Sequence, residues 1–103
     1  MKHFAIRYRF QNGSPEEWHQ HIASFIAALD SDPVLKDRIS YRCMKSRGSA
    51  EYTHLASAVD DEAIATLQSR DFFQRYTEQT KLVAGGAVEV SPLEIIAEAN
   101  HRA

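Results

Sequence analysis

Apolar and polar positions alternate through the first ten residues. Phe4, Ile6, Tyr8 and Phe10 fall on one side of an extended chain, and His3, Ala5, Arg7 and Arg9 fall on the other. The spacing predicts a strand with one core-facing side and one side that carries titratable groups. Gln11-Asn12-Gly13 has turn chemistry. Ser14-Pro15-Glu16-Glu17 predicts a helix start, with Ser14 as N-cap, Pro15 at the first helical position and Glu17 closing a capping box. Trp18, Ile22, Phe25, Ile26 and Leu29 recur at helical spacing and form a stripe to pack on the Phe4/Ile6/Tyr8/Phe10 face. Asp30-Ser31-Asp32-Pro33 ends the helix, because the residue before a proline avoids the helical region.

Two segments rich in Tyr, Ile, Thr and small residues follow, from about Arg38 to Lys45 and from Glu51 to Ala58, joined by Ser46-Arg47-Gly48-Ser49 as a hairpin loop. Asp60-Asp61-Glu62 places acids at the start of a second helix with Ala63, Ile64 and Leu67 turned inward. A break near Ser69 to Asp71, with Ser69 as the new cap, leads to a continuation carrying Phe72, Phe73, Tyr76 and Val83. Gly85-Gly86 stops it, and Ala87 to Val90 with Leu93 to Ala97 supplies a last extended segment interrupted at Ser91-Pro92, an edge or bulge signal. The tail from about Asn100 reads as loose.

The order predicts an α+β class protein, a single ferredoxin-like βαββαβ domain over residues 1–103. Its four-stranded antiparallel sheet has the first and third strands central and both helices on one face. The other face is left bare. It is expected to hold His3, Arg7 and Arg9 beside part of the set Ile39, Tyr41, Cys43, Thr53 and Leu55, with the hairpin register open. Two such sheets packed in a two-fold homodimer would close a barrel around a cavity.

A 103-residue chain buries only about two thirds of the surface its unfolded form exposes, so a partner subunit would help it. With 12 basic and 14 acidic residues and no basic cluster, bulk charge points to neither nucleic acid nor an anionic membrane as partner. The single cysteine, Cys43, excludes an internal disulfide and reads as a small buried hydrophobe. Strand pattern from Met1 onward, without a leader pattern, leads us to expect a cytoplasmic protein; no apolar run reaches the roughly 20 residues that span a bilayer.

The candidate chemistry lies with histidine, arginine and tyrosine. His3 in a semi-buried cavity can serve as a general base, and Arg7 can hold the resulting enolate or a carboxylate; against this stands a His3 at an exposed strand end and an Arg7 paired across an interface. Arg9 favours an anionic or polar ligand. His54 and Tyr52 share one side of the third strand and face either the cavity or the helices, according to register. Tyr41 and Tyr76 offer phenol donors to a ligand. His19 and His21, two apart on a helix, point in nearly opposite directions and cannot share a metal ion. No metal-ligand motif is present, and Gly85-Gly86 follows a helix rather than opening one, so neither a metal nor a phosphate loop is expected.

The first strand MKHFAIRYRF, the helix start SPEEW, the stretch ASAVDDEAIATLQSRDFFQRY and the end VEVSPLEIIAE together resemble the dimeric α/β-barrel superfamily, in particular its antibiotic biosynthesis monooxygenase-like branch. The resemblance spans nearly the whole chain. It implies a small aromatic or polyketide-like ligand in the barrel and activities such as cofactor-independent oxygenation, haem degradation, isomerisation or cyclisation. Lys2-His3 looks like the Lys-His of the stress-responsive barrel and polyketide cyclase branch, in which that His points into the cavity. Two features depart from the pattern. Val59 stands where oxygenase and haem-degrading relatives carry a Trp near the end of the third strand, and no histidine lies between His54 and His101 to match the one drawn from the second helix region. Two functions are therefore expected in parallel: an enzyme working without metal or cofactor, or a non-catalytic dimeric ligand-binding or accessory domain.

Overall fold

The computed structural model describes residues 1–99; the tail expected to be loose from Asn100 lies outside the described residues. The elements are β1 (Lys2–Arg9), α1 (Pro15–Ser31), β2 (Ile39–Lys45), β3 (Glu51–Ala58), α2 (Asp61–Ser69), α3 (Asp71–Val83) and β4 (Val88–Leu93). Ser14 caps α1 as expected, its hydroxyl accepting the Glu17 N–H at 3.3 Å with Pro15 in the first turn. Asp60 caps α2 by accepting the Ala63 N–H at 2.8 Å and also takes a bidentate contact from Arg38.

The second helical region is two helices. Ser69 does not recap it: it is the last residue of α2 and its hydroxyl donates to the Thr66 carbonyl, while Arg70, in extended conformation, separates α2 from α3 without a side-chain cap. Arg70 instead reaches Asp32 at the end of α1, Nε to carboxylate at 2.8 Å. This pins the corner between α2 and α3 to the C-terminus of α1.

The sheet order is β2-β3-β1-β4, all neighbours antiparallel. Pro92 falls within β4, an edge strand, where a missing N–H on the outer side costs nothing. The segment after Leu93 is not strand, contrary to the extended continuation expected to Ala97.

The register settles the two faces. Tyr8 pairs with Tyr52, Ile6 with His54 and Phe4 with Ala56, and across the other seam His54 pairs with Cys43 and Ala56 with Tyr41. Side chains of paired residues share a face. Ile39, Tyr41 and Cys43 therefore belong to the helix side and not to the bare face, whereas Thr53 and Leu55 do lie with His3, Arg7 and Arg9 on the bare face. The core between sheet and helices is built on Tyr8, Trp18, Phe25, Leu29, Tyr52 and Tyr76. Among the described residues no helix is long and apolar enough to cross a membrane.

Candidate functional site

An unusual share of this core is polar-tipped aromatic, and its centre is His54, fully buried on central strand β3. A buried imidazole must have partners for both nitrogens. On one side the Tyr8 hydroxyl lies 2.8 Å from Nε2. On the other the hydroxyls of Tyr41 and Tyr76 lie 3.2 and 3.1 Å from Nδ1. The Trp18 indole N–H donates to the Tyr8 oxygen at 2.9 Å.

These contacts assign the protons. Tyr8 already accepts from Trp18, so its own hydrogen needs an acceptor, and His54 Nε2 is the one at hand. His54 then carries its hydrogen on Nδ1 and donates toward Tyr41 and Tyr76. The opposite tautomer would aim two N–H groups at the Tyr8 oxygen and leave the Tyr8 hydrogen without an acceptor among the described residues. The donor chain thus runs from Trp18 through Tyr8 and His54 to the two tyrosines, whose own hydroxyl hydrogens are left for other acceptors. For Tyr76 one such neighbour is the Cys43 sulfur, at 3.8 Å.

Stacking holds the chain in place. Tyr76 lies parallel to Phe25 at 4.0 Å and to Trp18 at 5.7 Å, and Tyr8 stacks on Tyr52 at 5.2 Å. Burial dominates the electrostatics: it lowers the His54 pKa to about 4, raises the Tyr8, Tyr41 and Tyr76 phenols above their ordinary value, and lifts the Cys43 thiol to about 11. The cluster is neutral at physiological pH.

Beside it lies a cavity of about 350 Å³ between the sheet and helices α2 and α3. It exists because β3 presents only Ala56 and Ala58 to the helices there, while Phe4 and Ile6 on β1, Val88 and Val90 on β4, and Ile64, Leu67 and Phe73 on the helices hold the walls apart. Tyr41 and Tyr76 also line it. Among the described residues its wall is mostly apolar, the polar members being the two phenols that end the donor chain, Ser57, Thr80 and a rim of Gln68, Thr77 and Lys81.

The sequence-predicted residues divide between the two faces. His54, Tyr52, Tyr41 and Tyr76 are on the helix side, although Tyr52 turns away from the cavity and bonds His19 Nε2 at 2.7 Å. His3, Arg7 and Arg9 are on the bare face. His3 contacts Ser57 at 2.7 Å, and Arg7 and Arg9 form exposed cross-strand pairs with Glu89 at 3.9 Å and Glu51 at 3.6 Å. The sheet therefore separates His3 from His54. Sequence reasoning assigned Tyr8 and Trp18 to packing alone. Their signal was present: a Tyr on the inward side of a central strand and a Trp in the facing stripe both carry a hydrogen that needs a partner.

Strand order, register and helix placement define a ferredoxin-like α+β fold, the fold of solved antibiotic biosynthesis monooxygenase-like structures. Over 94% of this chain and 100% of the other, it is similar to the crystal structure of an antibiotic biosynthesis monooxygenase, with 8% identity and a TM-score of 0.77. It is similar over 97% of both chains to SnoaB, a cofactor-independent oxygenase from Streptomyces nogalater, with 15% identity and a TM-score of 0.76. PA3566 from Pseudomonas aeruginosa is similar over 93% of this chain and 94% of its own, with 14% identity and a TM-score of 0.73. No family model and no curated protein matches the chain. At these identities the likeness is one of fold.

Proposed function

We propose that this protein is a small-molecule enzyme of the antibiotic biosynthesis monooxygenase-like type, acting without metal or cofactor on an aromatic or polyketide-like substrate. The observation that carries this reading is the apolar cavity on the helix side whose wall bears Tyr41 and Tyr76, each within 3.2 Å of the buried His54. A flat apolar ring system suits the walls. The tyrosine hydroxyls, backed by His54 Nδ1–H, suit the negatively charged oxygen of a substrate that enters already deprotonated, as a phenolate or enolate, and in a dry site such oriented donors act strongly. An enolate or phenolate held in this way is electron-rich enough to reduce dioxygen itself, so no bound redox group is required. The fold shared with a cofactor-independent oxygenase supports the reading.

We assign His3, Arg7 and Arg9 to the seam of a homodimer formed through the bare sheet face, where Leu55, Met44 and Leu93 are exposed. Sedimentation velocity on Leu55→Asp, which introduces an unpaired charge at that seam, is expected to convert a dimer to a folded monomer; a wild-type monomer removes the assignment.

A ligand-binding module without catalysis is the second reading. It is favoured by burial of the cluster, which holds these groups in their uncharged forms and makes His54 a weak base and the tyrosines weak acids. The deciding experiment is dioxygen uptake and product analysis with a panel of polycyclic phenols and anthrones. Turnover lost in Tyr76→Phe supports the enzyme. Saturable binding with no uptake across the panel supports the module.

A further inference from the structure

Resting on the cavity reading above, we infer that the ligand carries a carboxylate, which the ammonium of Lys81 holds at the cavity mouth. Among the described residues, Lys81 is the one charged residue that lines the cavity. It is exposed, as are Gln68 and Val90, whereas Tyr76, Leu67 and Ala58 on the same wall are buried, so the mouth lies at the Lys81 end and Tyr76 lies deep. Lys81 forms no ion pair among the described residues. Glu89 on β4 pairs with Arg7 on the opposite face, and Glu78, three residues before Lys81 on α3, forms no ion pair with it among the described residues.

Helix geometry places Lys81 on the stripe Phe73, Tyr76, Thr77, Thr80 and Lys81 that faces the cavity. A lysine in that place lays its apolar stem along the wall and keeps its charged head at the water boundary. Tyr76 and Lys81 are offset by about 7.5 Å along the helix axis. A rigid bicyclic or tricyclic acid of that span fills the apolar volume and leaves its anionic end at the rim. A neutral ring system gains the walls but not the cation, and a ligand bearing an ammonium is repelled.

The test is isothermal titration calorimetry at low salt with chromone-2-carboxylate and its neutral counterpart chromone-2-carboxamide. Wild-type protein is expected to bind the acid about fivefold more tightly than the amide, the scale of a rim-exposed ion pair, and to lose most of that preference at high salt. Lys81→Gln is expected to bind both equally, and Lys81→Arg to restore the preference. Equal binding of acid and amide by the wild type, or a preference that survives in Lys81→Gln, overturns the carboxylate assignment and leaves the cavity standing. Binding of neither probe overturns the cavity reading and this inference together.

Discussion

Replacing Tyr8 with Phe removes one oxygen and tests the whole donor chain. That oxygen accepts from Trp18 at 2.9 Å and sits 2.8 Å from His54 Nε2, and Trp18, Tyr8 and His54 are all buried. The phenyl ring of the variant keeps the stack on Tyr52, so shape is preserved and only the hydrogen bonds go. What remains is a buried indole N–H without an acceptor and an imidazole nitrogen without a donor. Each costs about 1–3 kcal/mol, so the variant should lose about 2–6 kcal/mol, a large fraction of the roughly 5–15 kcal/mol that holds a domain together. Tyr76→Phe is the internal control. His54 Nδ1–H keeps the Tyr41 oxygen at 3.2 Å, and the loss should be about 1 kcal/mol or less. Urea unfolding followed by far-UV circular dichroism at fixed protein concentration measures both. With a slope of about 1.5 kcal/mol per molar, the Tyr8→Phe midpoint should fall by roughly 1.3–4 M. If Tyr8→Phe is within about 0.5 kcal/mol of wild type, or if Tyr76→Phe costs more than Tyr8→Phe, the Tyr8 oxygen is not the link that joins Trp18 to His54 in the core.

Acid should weaken the fold through His54. Burial holds its folded pKa near 4 against an ordinary value of 6.5, so between these the unfolded chain binds the proton and the folded one does not. Stability, full above pH 6.5, should decline by about 3 kcal/mol as pH falls to 4, and a flat urea midpoint between pH 7.5 and 4.5 would contradict this. Ala56→Leu should enter the cavity rather than overpack the core, costing less than the 1–3 kcal/mol typical of overpacking while abolishing calorimetric binding of small aromatic ligands; a well-bound ligand in a folded Ala56→Leu protein would place the site elsewhere. Cys43, its thiol pushed from 9.0 to about 11, should react with iodoacetamide at pH 8 about 100-fold more slowly in the native protein than in urea, and equal rates would refute its burial beside Tyr76.

The capped start at Ser14-Pro15, the strand Glu51–Ala58 and the central place of β1 and β3 were legible because each depends on local chemistry or short-range periodicity. The faces of the hairpin were not. On β3, Tyr52 and His54 alternate with Thr53 and Leu55, and hydrophobicity alone argues for Leu55 inward and His54 outward. The structure does the reverse: His54 is fully buried and Leu55 is 37% exposed. The inversion holds because the Tyr8, Tyr41 and Tyr76 hydroxyls satisfy the imidazole from three elements far apart in sequence, and no window of local pattern contains that information. The same blindness affected Tyr8 and Trp18, whose rings were legible as core while their hydrogen-bonding tips depended on His54. The cavity was likewise hidden, since it arises from the small size of Ala56 and Ala58 opposite helices whose placement is tertiary.

That inversion couples the two faces of the sheet. β1 and β3 supply both the helix-side network and the bare face, and their side chains alternate between the two. A slip of one residue would send His54 to the bare face and Leu55 into the core. It would break the Tyr8, Tyr41 and Tyr76 contacts and turn inward Glu51 and Ser57, the β3 groups that hold Arg9 and His3 in their cross-strand contacts. Each face therefore opposes the slip for its own reason: on one side a buried imidazole that only one register satisfies, on the other the alignment of Arg9 with Glu51 and of His3 with Ser57. The exposed ion pairs are individually worth little. The discriminating weight falls on the network around His54, because the slip would leave the buried Tyr8 and Tyr76 hydroxyls without the imidazole, and an unpaired buried polar group costs more than any of these pairs. A buried histidine in a small sheet is thus a register lock before it is anything else. The proposed chemistry makes use of a group that the fold requires to be held in one tautomer and one place.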